Sequence, residues 1–144
     1  MIRIGLDMDG TITADPPGFA RIVDAILARN GEAHVVSSRS RLGERETVAE
    51  LRAYGVQYTA LYLLPEISEA QNFCPHLDLN WFEKHQWLKV DYAQRHSLTH
   101  FVDDDPTVLT LFSRFAPHVE AIRQHESRSS GVMRRLGLEP KNLR

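Results

Sequence analysis

The stretch that decides the fold is Ile2-Arg3-Ile4-Gly5-Leu6 followed at once by Asp7-Met8-Asp9-Gly10-Thr11. Ile2, Ile4 and Leu6 make a short apolar strand, and the chain then turns abruptly polar. Two carboxylates separated by one residue, at the end of a strand and followed by a glycine, suit a ligand site better than a core. Gly10 lets the backbone turn sharply and approach a ligand closely.

Working outward, strand and helix patterns alternate. Asp15 before Pro16 reads as a helix cap and first helical position. Phe19, Ile22, Val23, Ile26 and Leu27 then recur at helical spacing up to Asn30-Gly31. Residues 33–36 form a second strand ending in Ser37, and residues 44–54 a helix stopped by Gly55. Residues 58–64 form a nearly continuous apolar strand of the kind buried on both faces. Residues 65–80, with Pro65 and Pro75, read as a loop. Asn80 and Glu83 make a capping box for a helix over residues 81–95. A strand over 99–102 is halted by Asp103-Asp104-Asp105, Asp105-Pro106 caps another helix, and residues 118–122 form a last strand. Beyond Arg123, Val132, Met133, Leu136 and Leu138 suggest a short helix. Alternation of this kind predicts an α/β fold, a Rossmann-like parallel sheet with helices on both faces. Ligands bind such sheets outside the carboxyl ends of the strands.

Those ends carry Asp7, Asp9, Ser37, Ser38, Arg39 and Asp103 to Asp105, and the helix after the long loop opens with Lys84. Carboxylates gathered this closely repel by about 4 kcal/mol per close pair at an effective dielectric near 20. Protonation or a cation must relieve that repulsion. An all-oxygen donor set selects Mg²⁺, which pairs readily with phosphate oxygens. A lysine and a hydroxyl would hold the remaining phosphate oxygens.

The motif Asp7-Met8-Asp9-Gly10-Thr11 resembles the first motif of the haloacid dehalogenase (HAD) superfamily of Mg²⁺-dependent phosphatases. Chance produces D-x-D-G-T at roughly 10⁻⁵ per position at ordinary residue usage. Val35-Val36-Ser37-Ser38-Arg39 is similar to the second motif, Lys84 to the third, and Phe101-Val102-Asp103-Asp104-Asp105-Pro106 to the fourth. The resemblance implies a HAD-like three-layer core over residues 1–122, followed by a basic C-terminal tail over 123–144. It implies Asp7 as the nucleophile that forms an aspartyl-phosphate, and Asp9 as general acid and then base. It implies Ser37 and Lys84 on the transferring phosphoryl group, with Gly10, Thr11, Ser38 and Arg39 around the substrate. Mg²⁺ would be held by Asp7, the Asp9 backbone carbonyl, Asp103 and Asp104. An aspartate two positions after the nucleophile favours phosphoester hydrolysis or phosphoryl transfer over cleavage of carbon–halogen bonds.

Several assignments have rivals. Ser38 competes with Ser37. Lys89 competes with Lys84, and five residues, about 140° around a helix, keep the two from facing one ligand. Lys84 lies nearer the helix start, where the dipole favours an anion, which leaves Lys89 as a solvated charge. Cys74-Pro75-His76 is similar to half of a zinc-binding loop, without the cysteines of the other half. Arg39, Arg41 and Arg45 are either a solvated helix start or a second anionic anchor, and Trp81 and Phe82 could stack on a base. Neither the stretch 12–17 nor the loop 65–80 is long enough for a separate cap domain. The open site this predicts suits nucleic-acid ends, or nucleotides and sugar phosphates with a lid from a homo-oligomer. The chief alternative is a catalytically silent binding or regulatory module. A phosphorylated receiver is disfavoured, since its acceptor aspartate would end the third strand, where Pro65 stands.

The 144 residues are 42% hydrophobic and 25% charged, which supports one domain with a real core. A net charge of −2 excludes a strongly basic nucleic-acid binder. The charge is uneven: residues 123–144 hold six basic against two acidic residues, or +4, which leaves −6 on the rest. One cysteine rules out an internal disulfide, and Arg3, Asp7 and Asp9 interrupt any signal-peptide pattern. These features predict a cytoplasmic protein without membrane spans.

Overall fold

The computed structural model describes residues 1–125 and 129–138. Its centre is a five-stranded parallel sheet of β1 (Arg3–Leu6), β2 (Glu32–Ser37), β3 (Ala60–Leu63), β4 (His100–Asp103) and β5 (Glu120–Arg123), in the order β3-β2-β1-β4-β5. The helices around it are α1 (Pro16–Ala28), α2 (Glu44–Ala53), α3 (Ile67–Ala70), α4 (Trp81–Arg95), α5 (Pro106–Phe115) and α6 (Ser130–Arg135). It is an α/β fold.

Strand alternation sorts the core into two clusters. Ile4, Leu6, Val35, Val102 and Ile122 project into one, where they meet Phe19, Ile22 and Ile26 of α1 and Leu51 of α2. Val36 and Phe101 project into the other, against Leu88 of α4 and Val108 and Phe112 of α5. Each such side chain, fully buried, stabilises by roughly 1.5–3 kcal/mol. Gly5 lies between Ile4 and Leu6 because a Cβ there would overlap the Phe101 ring.

The caps expected from sequence are made. Asp15 accepts from Gly18 N at 3.2 Å, Asp105 accepts from Thr107 N at 2.9 Å, and Asn80 and Glu83 form a reciprocal capping box at 2.8 and 2.9 Å. Two expectations need correction. β3 is an edge strand, with Ala60, Leu61 and Tyr62 only half-buried, because among the described residues no strand pairs beyond it. Its apolar run covers the sheet edge rather than the sheet centre. The loop over 65–80 also contains the single turn α3.

Residues 129–138 pack onto the rest of the chain. Val132, Leu136 and Leu138 are buried in the same cluster as Ile4 and Phe19. Ser129 N donates to Asp15 Oδ2 at 3.1 Å, and Arg135 pairs with Glu120 at 2.6 Å. The rest of the expected tail, residues 139–144, lies outside the described residues, as do 126–128. No described helix is long and apolar enough to cross a membrane.

Candidate active site

β1 and β4 are neighbours, and both end in aspartate. Their parallel pairing places Asp7 and Asp103 side by side at the carboxyl edge of the sheet, and Asp7 N donates to Val102 O at 3.0 Å. Asp7, Asp103 and Asp104 each offer a carboxylate oxygen, and these atoms lie within 4.8 Å of one another. They are the one group of three or more potential metal ligands among the described residues.

Lys89 neutralises part of this charge. Its Nζ donates to Asp7 Oδ1 at 3.1 Å and to Asp103 Oδ2 at 2.8 Å, and the residue is 2% exposed. Burial pushes the Asp7 carboxyl up, against the pull of the Lys89 ammonium, and the neighbouring Asp103 adds to the rise. Asp103 is raised for the same first reason, burial. Lys89 is itself raised, since its two carboxylate partners outweigh its desolvation. With both carboxyls ionised, the group of two carboxylates and one ammonium would carry an excess negative charge, which the raised Asp7 relieves by protonation when no cation is bound. A hard cation among Asp7, Asp103 and Asp104 would relieve that excess.

The expectation for the lysine is therefore corrected. Lys84 stays half-buried near the start of α4 and does not line the site, whereas Lys89, read as a solvated charge, reaches its centre. The reason is helical phase. Phe82, Gln86 and Lys89 stand at i, i+4 and i+7 and line the same cleft, while Lys84 lies about 140° away from Lys89. Lys89 also lies between buried Leu88 and Val90, within a helix whose residues 85–90 are all buried. In sequence the only hint was its apolar neighbours Trp87, Leu88 and Val90.

The other expected residues cluster around this centre. Thr11 is buried, and its Oγ1 donates to Asp7 Oδ2 at 3.3 Å. Gly10 adopts φ +81°, and a Cβ there would overlap the Asp104 carboxylate, so only glycine fits. Ser37 is buried at the end of β2, where its Oγ accepts from Arg39 N at 3.1 Å, while exposed Ser38 lines the cleft. Asp9 is exposed and held by the Arg39 fork at 2.6 and 2.9 Å. Arg39 also grips Glu50 at 2.6 Å. The Arg39 hydrogen bonds hold the Asp9 carboxyl below its ordinary range. The cleft has a volume of about 370 Å³, with Asp7, Asp9, Ser38, Lys89, Asp103 and Asp104 in its walls. Of the expected site residues, the structure brings all but Lys84 to one edge of the sheet.

The zinc alternative finds no ligand set among the described residues. His76 stacks on Phe115, with ring centroids 4.1 Å apart, and Cys74 is buried in the apolar cluster beside α4. Trp81 is 61% exposed, and Phe82 forms part of the cleft wall.

No protein-family model and no curated protein sequence matches the chain. Solved structures do resemble it. A chain in the structure of the Pnkp1/Rnl/Hen1 RNA repair complex superposes with a TM-score of 0.60 at 14% identity, over 85% of this chain and 42% of that one. A second Pnkp1/Rnl/Hen1 complex gives a TM-score of 0.61 at 14% identity, over 88% and 46%. This chain thus spans less than half the length of the chains it matches, and at such identity the likeness is one of fold.

Proposed function

We propose that this protein is a Mg²⁺-dependent phosphomonoester hydrolase with a three-layer HAD-like core, acting through an aspartyl-phosphate on Asp7. The observation that carries the reading is the buried Asp7–Lys89–Asp103 group beside Asp104, at the carboxyl ends of adjacent parallel strands. A carboxylate nucleophile needs its negative charge screened before a phosphate dianion can approach, and Lys89 is in contact with it.

The donor set suits Mg²⁺, which would be held by Asp7, Asp103 and Asp104. When bound, it would neutralise charge on the phosphoryl oxygens. The chain's own residues divide the remaining work. Asp7 attacks phosphorus and displaces the alcohol. Asp9 gives the leaving oxygen its proton and later takes one from the hydrolytic water. Lys89, in the place expected for Lys84, spreads phosphoryl charge, with Ser37 or Ser38 as the hydroxyl donor. Arg39 orients Asp9 by holding its carboxylate in the guanidinium fork. Likeness to chains of an RNA repair complex supports a nucleic-acid end as substrate, over a free nucleotide or sugar phosphate.

The test is turnover with Mg²⁺ of p-nitrophenyl phosphate, nucleotides, sugar phosphates and 3′-phosphorylated oligonucleotides. Hydrolysis that vanishes with EDTA and in Asp7→Asn is expected. Hydrolysis that survives Asp7→Asn removes the nucleophile assignment, and a panel without turnover leaves a silent binding module.

A further inference from the structure

A second cleft, of about 540 Å³, opens beside β5, with Arg123, His125, Arg134 and Arg135 among its lining residues. No carboxylate residue lines it among the described residues. In a body whose formal charge is negative, such a wall is uncommon enough to need an account. Its place in the fold supplies one. Arg123 is the register partner of Asp103 in the β4–β5 ladder, and Gln124 N donates to Asp103 O at 3.0 Å. The basic cleft therefore begins one strand spacing, about 4.8 Å, from the carboxylate centre.

We infer that the β5 cleft is a docking track for the phosphodiester backbone of a nucleic-acid strand whose terminal phosphate enters the Asp7 site. The direction of the strand rests on the phosphatase reading above; the basic cleft does not. A duplex strand advances about 3.4 Å per nucleotide, so the phosphate one or two nucleotides from the end lies level with Arg123. The three arginines of its lining, with no carboxylate among them, suit backbone phosphates. The track is built rather than loose. Arg135 is held by Glu120 at 2.6 and 2.9 Å, and Val132 and Leu136 of the same segment are anchored in the core. Arg123 is exposed and has no ion-pair partner among the described residues. On the opposite flank two of the three arginines are engaged within the protein. Arg39 grips Asp9 and Glu50, and Arg41 Nε donates to Leu63 O at 2.9 Å. On the β5 side, Arg123 is a cation left exposed to a polyanion.

The test is fluorescence anisotropy of a labelled single-stranded 12-mer ending in a 3′-hydroxyl, in ribo and deoxy forms, across a salt series. A plot of log K against log salt for the wild type should fall linearly. Arg123→Ala should flatten its slope by about 0.7, and Arg123→Ala with Arg134→Ala by about 1.4. Arg123→Lys, which keeps the charge, should restore the slope, and circular dichroism checks that each variant is folded. Binding whose slope is the same in the wild type and the folded double variant overturns the inference, as does a wild type that binds neither strand. Wild-type turnover of p-nitrophenyl phosphate is measured separately. Turnover without strand binding sinks the track and leaves the phosphatase; salt-sensitive strand binding without turnover does the reverse. Equal slopes for the two strands assign the track to backbone phosphates, and a preference for the ribo form adds a 2′-hydroxyl contact.

Discussion

Replacing Lys89 with methionine keeps the stem and removes the ammonium that touches Asp7 at 3.1 Å and Asp103 at 2.8 Å. The cost follows from the carboxyls left behind. With Lys89 present and no metal, burial already puts Asp7 at about 8, so it is largely protonated near neutrality. Without the ammonium, the buried Asp103 must take up a proton as well. Each pH unit above an ordinary carboxyl pKa of 3.8 then costs about 1.4 kcal/mol. The limit is about 4 kcal/mol at pH 7 and under 2 kcal/mol at pH 5, and the Lys89 desolvation that the substitution abolishes reduces both. The pH 7 figure agrees with the ~3–5 kcal/mol typical of breaking a buried pair. For a domain of this size, Tm falls by roughly 10 °C at pH 7 and by less than half that at pH 5.

The sign is the one a raised carboxyl pKa demands. Stability is intact below 3.8 and is lost as pH climbs through the folded value, about 8 for Asp7. Differential scanning calorimetry at the two pH values, with Lys84→Met alongside, is the assay. Lys84 is half-buried and outside the cleft, so its variant should stay within about 0.5 kcal/mol of the wild type. A Lys89→Met protein that melts within 2 °C of the wild type at both pH values, a roughly null shift, refutes the reasoning. So does one that loses more at pH 5 than at pH 7.

Further measurements probe the surrounding residues. Arg39→Ala frees the Asp9 carboxyl, whose pKa should rise, so the basic limb of the kcat–pH profile should move to higher pH; an unmoved limb dissociates Asp9 from the acid role. The same variant should cost about 1 kcal/mol or less near neutrality, because Asp9 is solvent-screened, and less still in high salt. A depressed carboxyl stabilises above its unfolded pKa, so this loss should fade as pH falls from 3.8 through the lowered folded value. Gly10→Ala, strained at φ +81° and overlapping Asp104, should lower stability by 1 kcal/mol or more and weaken Mg²⁺ binding in calorimetric titration. Leu136→Ala should cost about 2–5 kcal/mol in urea unfolding if residues 129–138 belong to the core. A cost below 0.5 kcal/mol, the roughly neutral range for surface changes, would separate that segment from it.

What sequence could and could not reveal divides by the kind of signal. The strand ends were legible because Asp7, Ser37 and Asp103 each follow an apolar run at a boundary that short-range sterics and hydrophobicity define. The caps Asp15, Asn80 and Asp105 were legible for the same local reason. Lys89 was not, because its partners are Asp7 and Asp103, and 82 and 14 residues separate it from them. A lone lysine in a helix reads as solvated until the phase of the helix against the sheet is known. The edge position of β3 was equally hidden, since an apolar run of a few residues looks the same at the edge as at the centre of a sheet. The short helix within 129–138 was legible from Val132, Met133, Leu136 and Leu138, but its packing was not, because its partners Ile4 and Phe19 lie more than a hundred residues away.

The arrangement of charge along the carboxyl edge links the two ligands proposed for it. The central cleft concentrates Asp7, Asp9, Asp103 and Asp104 around one buried lysine, while Arg123 and its neighbours begin one strand away. An incoming polyanion is attracted by the β5 flank and repelled by the centre, so its end reaches Asp7 only once a cation has offset the carboxylates. Affinities linked in this way must be reciprocal: if Mg²⁺ tightens a 3′-phosphorylated strand, that strand tightens Mg²⁺ by the same factor. The 3′-hydroxyl form of the strand lies on the β5 flank alone and should show little of this coupling. Titrating each ligand in the presence of the other, on Asp7→Asn to prevent turnover, closes the cycle. Coupling that is equal for the phosphorylated and unphosphorylated strands would show that the terminal phosphate never meets the carboxylates.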